Sequence, residues 1–91
     1  MTMERITVTA DNLETVRETM HGRDQAEELV VGCETWGILY QPGNQRGQMT
    51  VWPNGRAAIM LGGNSAWGDW IDGQMLTDDG ELYDSAGELI E

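Results

Sequence analysis

The chain has 91 residues, 16 acidic side chains against five basic ones, a formal net charge of -11 at pH 7, and 40% hydrophobic residues. That length suits one domain, 1–91, with a modest core, and the four tryptophans with evenly spaced apolar residues argue against a disordered chain. The sign of the charge excludes nucleic acid and anionic membrane as direct partners, because their phosphates would be repelled.

The first element is a half-buried strand over Glu4–Ala10, with Ile6 and Val8 on one face and Arg5, Thr7 and Thr9 on the other. Asp11 then stands as a helix N-cap, with Glu14 three residues on completing a capping box. Leu13, Val16 and Met20 follow at helical spacing, His21 falls in the last turn and Gly22 can close the helix. Arg23–Val31 reads as a second helical piece, with Asp24 as cap, an apolar edge of Ala26, Leu29 and Val30, and Gly32 at its end. The spacing leaves open whether Gly22 separates two helices or kinks one.

From Cys33 the period changes to two. Glu34–Tyr40 carries Trp36, Ile38 and Tyr40 on one face, and Pro42-Gly43-Asn44 breaks it, with Gly47 ending the loop. Gln48–Trp52 and Arg56–Leu61 flank Pro53-Asn54-Gly55, a tight-turn signal, and predict a hairpin. Gly62–Ser65 predicts a flexible connection, and Ala66–Ile71 either a helical turn or an aromatic strand. Glycine then recurs every seven residues, at Gly73, Gly80 and Gly87, each followed by a polar residue. Glycine and turn residues in every unit argue against a helical heptad. They predict a meander of Gln74–Leu76, Glu81–Asp84 and Glu88–Ile90 joined by Asp/Gly and Ser/Gly turns. The expected fold is α+β: an N-terminal strand, one or two helices, then an antiparallel meander sheet of four to six strands with the helix on one face.

The chemistry-bearing residues are few. Cys33 is the sole cysteine, so no internal disulfide forms, which fits a reducing compartment. Residues 1–9 lack the apolar core of a signal peptide and no window reaches membrane-spanning length, so the expected location is cytoplasmic. A Cys-His nucleophile would have to combine Cys33 with His21, but no flanking signature supports it, and a buried strand cysteine and a helix-end cation explain both. One Cys and one His do not make a zinc site. Asp78-Asp79-Gly80-Glu81 with Asp84 hints at calcium but lacks EF-hand spacing, and hairpin bends use the same residues. Paired carboxylates for glycoside hydrolysis would need a cleft that so short a chain has little room for. Gly62-Gly63-Asn64-Ser65 lacks the lysine of a phosphate loop. The expectation is therefore a non-enzymatic protein without catalytic residues, metal or cofactor.

All five arginines lie in 1–56, whereas 57–91 hold eight acids and no base. Alternate strand residues lie about 6.6 Å apart on one face. Carboxylates on neighbouring strands and turns can thus present a patterned negative surface: Asp69, Asp72, Asp78, Asp79, Glu81, Asp84, Glu88 and Glu91. Trp67 and Trp70, flanking Gly68-Asp69, are candidate partner anchors, although a chain without phenylalanine must also draw core aromatics from its tryptophans.

A short, acidic, single-domain chain without a catalytic constellation resembles the small phage- or plasmid-encoded inhibitors, the anti-CRISPR and anti-restriction proteins, some of which mimic nucleic acid. The resemblance lies in size and charge over the whole chain, and it carries no residue roles. It implies a partner such as a CRISPR surveillance complex or another DNA-binding enzyme, blocked sterically at its basic surface, and the cytoplasm of a host cell as the location. Two alternatives stand beside it. Acidity can serve solubility alone, with binding through a Trp67–Trp70 patch, or the chain can be a homodimer formed through an edge strand rather than a monomer.

Overall fold

The computed structural model describes residues 5–20, 23–40, 45–61 and 64–90. The elements in chain order are β1 (Ile6–Thr7), α1 (Leu13–Thr19), α2 (Arg23–Glu27), β2 (Glu34–Tyr40), β3 (Gln45–Val51), β4 (Arg56–Leu61), β5 (Asn64–Ile71), β6 (Gln74–Thr77), β7 (Leu82–Tyr83) and β8 (Leu89–Ile90). The fold is α+β, with two short helices and one eight-stranded sheet in the order β1 to β8, every pair antiparallel.

The meander has more strands than the four to six expected after the helices, because β2 to β8 all join the sheet. Asn64 and Ser65 are not connection but strand, in register with Leu61 and Met60, and Ala66–Ile71 resolves as strand. Gly47, expected to end a loop, pairs inside β3. Pro42, Gly43 and Asn44 lie outside the described residues, as do His21, Gly22, Gly62, Gly63 and Glu91.

The seven-residue glycine repeat is a repeat of turns. Gly73, Gly80 and Gly87 have φ of 80, 93 and 82°, the left-handed region that glycine enters without strain. Asp72 (φ 52°) and Gly73 form a two-residue turn with both residues positive, matched to the twist of the flanking strands. The Gly80 turn closes with Gly80 N–H donating to Thr77 O (2.9 Å) and Thr77 N–H to Glu81 O (2.8 Å). The Gly87 turn repeats this with Gly87 to Asp84 (3.0 Å) and Asp84 to Glu88 (2.9 Å). Pro53-Asn54-Gly55 is the same device, Gly55 donating to Trp52 O at 3.0 Å. These are three-residue loops that end in a left-handed glycine.

The N-terminal strand is shorter than expected because the helix entry begins early. Thr9 N–H donates to Asn12 Oδ1 (2.7 Å) and Asn12 N–H to Thr9 Oγ1 (3.3 Å), so the reciprocal box sits on Thr9 and Asn12 rather than on Asp11 and Glu14. Val8 is buried, but Ile6 is 45% exposed, so the two do not share a buried face. Met20 is extended (φ -75°, ψ 141°) and ends α1, so the helical region is two helices. The second stops at Glu27, short of the Val31 expected; the Trp52 indole N–H takes the Glu28 carbonyl at 2.8 Å, and Gly32 N–H bonds Val8 O at 2.9 Å.

The sheet buries both faces. Val8, Val16, Leu29, Cys33, Trp52 and Ala58 form the core under the helices, with Leu13, Met20 and Trp67 against it. Trp36, Ile38, Met49, Ala57, Ile59 and Met75 form a second core on the opposite face. Curling of the sheet encloses that second core. Strands β2 and β7 are five steps apart, about 24 Å in a flat sheet. Yet Trp36 Nε1–H donates to Ser85 O, beside β7, at 2.7 Å. Gly68 stands on the inner face at the tightest approach, where a Cβ would strike the Leu76 carbonyl.

Candidate partner-binding surface

The acidic end is not uniform. Asp69 lies opposite Arg56 in the β4–β5 register. Arg56 Nη1 reaches Asp69 Oδ1 at 3.2 Å, and its fork meets both oxygens of Asp78 at 3.1 Å. Asp78 is brought there by its N–H bond to Trp67 O (2.9 Å). The Arg56 hydrogen bonds hold the Asp78 carboxyl below the usual carboxylate range, and the two carboxylates raise the arginine further. A charge count by segment hides this pair, since 57–91 hold no base. The pairing of Leu61 with Asn64 carries Arg56 opposite Asp69, a register that a flexible connection over Gly62–Ser65 does not foretell.

Three further candidates sit at turns. Asp72 is at the exposed tip of the β5–β6 turn. Asp84 Oδ1 accepts from the N–H groups of Ala86 (2.9 Å) and Glu88 (3.0 Å), so this carboxylate holds the last turn. Glu88 is exposed beside it.

Asp79 and Glu81, on either side of Gly80, line a groove of about 430 Å³. Its apolar part is Ile59, Leu61 and Ala66, inner-face residues of β4 and β5, and Tyr83 of β7 completes it with the polar Asn64 and Ser65. Among the described side chains, no cation pairs with Asp79 or Glu81. Burial, and secondarily the charge of Glu81, pushes the Tyr83 phenol above its ordinary range, so it stays a neutral donor. Neighbouring carboxylates are thus sorted: Asp78 meets the arginine of its own chain, and Asp79 opens on an apolar groove without one.

Trp67 and Trp70, three apart on β5, point to opposite faces. Trp67 packs on Trp52 with ring centroids 5.1 Å apart, and Trp70 meets Trp36 edge-on at 5.5 Å. They form no common patch, and each serves a different core. On the far side, the Arg5 guanidinium lies 4.1 Å from the Trp36 ring centroid and 3.4 Å from Glu34.

A second cavity, about 150 Å³, lies under α2 between Arg23, Asp24, Gln25, Met60 and Ser65. Gln25 is 1% exposed, and neither polar atom of its side-chain amide has a hydrogen-bond partner among the described residues. Cys33 is fully buried, and burial raises its thiol, which disfavours the nucleophilic thiolate. Among the described residues no three His, Cys, Asp or Glu are grouped to hold a metal ion, and no helix is long and apolar enough to cross a membrane. Comparisons with protein-family models, with characterised proteins and with solved structures find no match to this chain.

Proposed function

We propose that the protein is a non-catalytic binding protein whose acidic C-terminal half docks on a basic surface of a nucleic-acid-handling complex and blocks it. The observation that supports this reading is the unneutralised charge. Among the described side chains only Arg56 reaches a C-terminal carboxylate, and it serves Asp69 and Asp78. Asp72, Asp79, Glu81 and Glu88 are exposed and pair with no cation among the described side chains. Such a surface attracts Lys- and Arg-lined grooves built for phosphate, with fast, salt-sensitive association. The test is retention of partners on the immobilised protein, with elution by salt and by duplex DNA. Reversal to Lys of Asp79, Glu81 and Glu88 should abolish retention while the fold is kept. Retention unaffected by that reversal and by added DNA refutes the reading.

One observation favours a second reading, an interaction module with an apolar contact. Leu76, Leu82 and Ile90 are successive cross-strand partners, and through Asp69 and Arg56 their face is the one the helices cover elsewhere. Leu76 is 39% exposed and Ile71, near it, 51%. A partner held there would survive high salt, and Leu76→Asp would release it.

A further inference from the structure

We propose that the groove between Asp79, Glu81 and Tyr83 receives the side chain of an arginine on the partner protein. This rests on the reading above that the partner surface is basic.

The groove has the two chemistries an arginine needs. Leu61 and Ala66, each partly exposed above the buried Ile59, offer apolar surface to the methylene stem. Asp79 and Glu81, both exposed, line it with acidic side chains, and half-buried Tyr83 adds an aromatic ring, the kind of group a planar guanidinium stacks on. Arginine fits better than lysine because its rigid fork can engage two carboxylates at once and is more weakly hydrated. The same fold already solves that recognition problem internally. At the same turn, Arg56 spans Asp69 and Asp78 with contacts of 3.1–3.2 Å. Asp79 and Glu81 repeat the paired carboxylates without a cation of their own among the described side chains. The groove, about 430 Å³ and open to solvent, has room for one arginine side chain entering from a partner. A second copy of this chain is a poor occupant, because the acidic end would meet another like itself.

The experiment titrates the isotope-labelled protein with N-acetyl-arginine amide, N-acetyl-lysine amide and N-acetyl-citrulline amide, followed by amide chemical shifts. Citrulline keeps the shape of arginine and removes the charge. Arginine should give saturable shifts confined to 64–66 and 79–83, with lysine and citrulline each weaker. Asp79→Asn and Glu81→Gln should each weaken arginine binding about two- to fivefold, as expected for exposed ion pairs, and Glu18→Gln on α1 should leave it unchanged. Equal binding of citrulline, or shifts spread evenly over Asp72 and Glu88, overturns the proposal. Two results separate it from the broader reading. If the groove variants still capture a basic partner that the Lys reversal loses, the groove proposal fails alone. If arginine saturates the groove and the groove variants lose the partner, but salt and duplex DNA leave capture by the wild-type protein intact, the broader reading fails alone.

Discussion

Gly80 and Gly87 occupy the same position of the same kind of turn, with φ of 93 and 82°. Their surroundings differ. A Cβ at Gly80 meets nothing within 4 Å, whereas at Gly87 it falls on Ile38 Cδ1, with Cγ1 at 3.3 Å. Gly80→Ala should therefore cost only the left-handed strain, about 1–2 kcal/mol. Gly87→Ala adds the overpacking of a buried side chain, about 1–3 kcal/mol more. Ile38→Val removes the offending Cδ1; on its own it should cost about 0.5–1.5 kcal/mol. In the Gly87→Ala background the same change should cost less or stabilise, because it makes room for the new methyl. Equilibrium urea denaturation followed by tryptophan fluorescence gives all five stabilities, counting wild type and the double variant. Equal losses for the two glycine variants, with Ile38→Val strictly additive, would refute the packing of the last turn on β2. The curl of the sheet, and with it the place of Tyr83 in the groove, would then be wrong.

Gln25→Met should stabilise the protein by about 1–3 kcal/mol, since it replaces a buried amide that has no partner among the described residues with an apolar chain of similar length; a loss on denaturation would mean that the amide is satisfied. The Asp78 carboxyl is held low by Arg56, so its contribution to stability is present above the ordinary carboxylate range and is lost as pH falls through the depressed value. Wild type should accordingly exceed Asp78→Asn in stability at neutral pH and converge with it in acid; a constant difference across the titration would show that the ionised pair is not the cause. Cys33 should resist a thiol reagent in the native protein and react fully in denaturant, and rapid stoichiometric labelling without denaturant would contradict its burial.

Local signals carried much of the fold. Pro53-Asn54-Gly55 announces its hairpin because proline presets one turn dihedral and glycine supplies the left-handed one, and Arg56–Leu61 follows as expected. The glycine repeat announced the closing meander for the same reason. The helix entry was misjudged by two residues, since Thr9 and Asn12 make the same reciprocal bonds as the Asp11–Glu14 pair and begin earlier. The second helix was overextended because Val30 and Val31 look like a continuing apolar edge, yet they are 47% and 53% exposed. No local pattern foretells the curl, which rests on Trp36 and Ser85, 49 residues apart. The candidate site was legible as a list of carboxylates but not as an arrangement. Which acids meet Arg56, which hold turns and which open on the groove depends on register and curl together.

That sorting bears on what the acidity is for. Charge that serves solubility alone needs no particular neighbours. Here one C-terminal pair, Asp69 and Asp78, shares the charge of Arg56, and Asp84 is engaged by backbone N–H groups. Asp79 and Glu81 are instead set beside the apolar side chains of Ile59, Leu61 and Ala66. A carboxylate beside apolar surface loses part of its hydration and is better served by a cation that brings its own apolar stem than by a small hydrated ion. The dependence on salt therefore separates the two roles: simple screening weakens exposed charges alike, whereas contacts in the groove should retain an apolar component when salt has removed the long-range attraction. Partner binding that falls with salt to a plateau, and loses that plateau on Leu61→Ser, is the behaviour this arrangement requires.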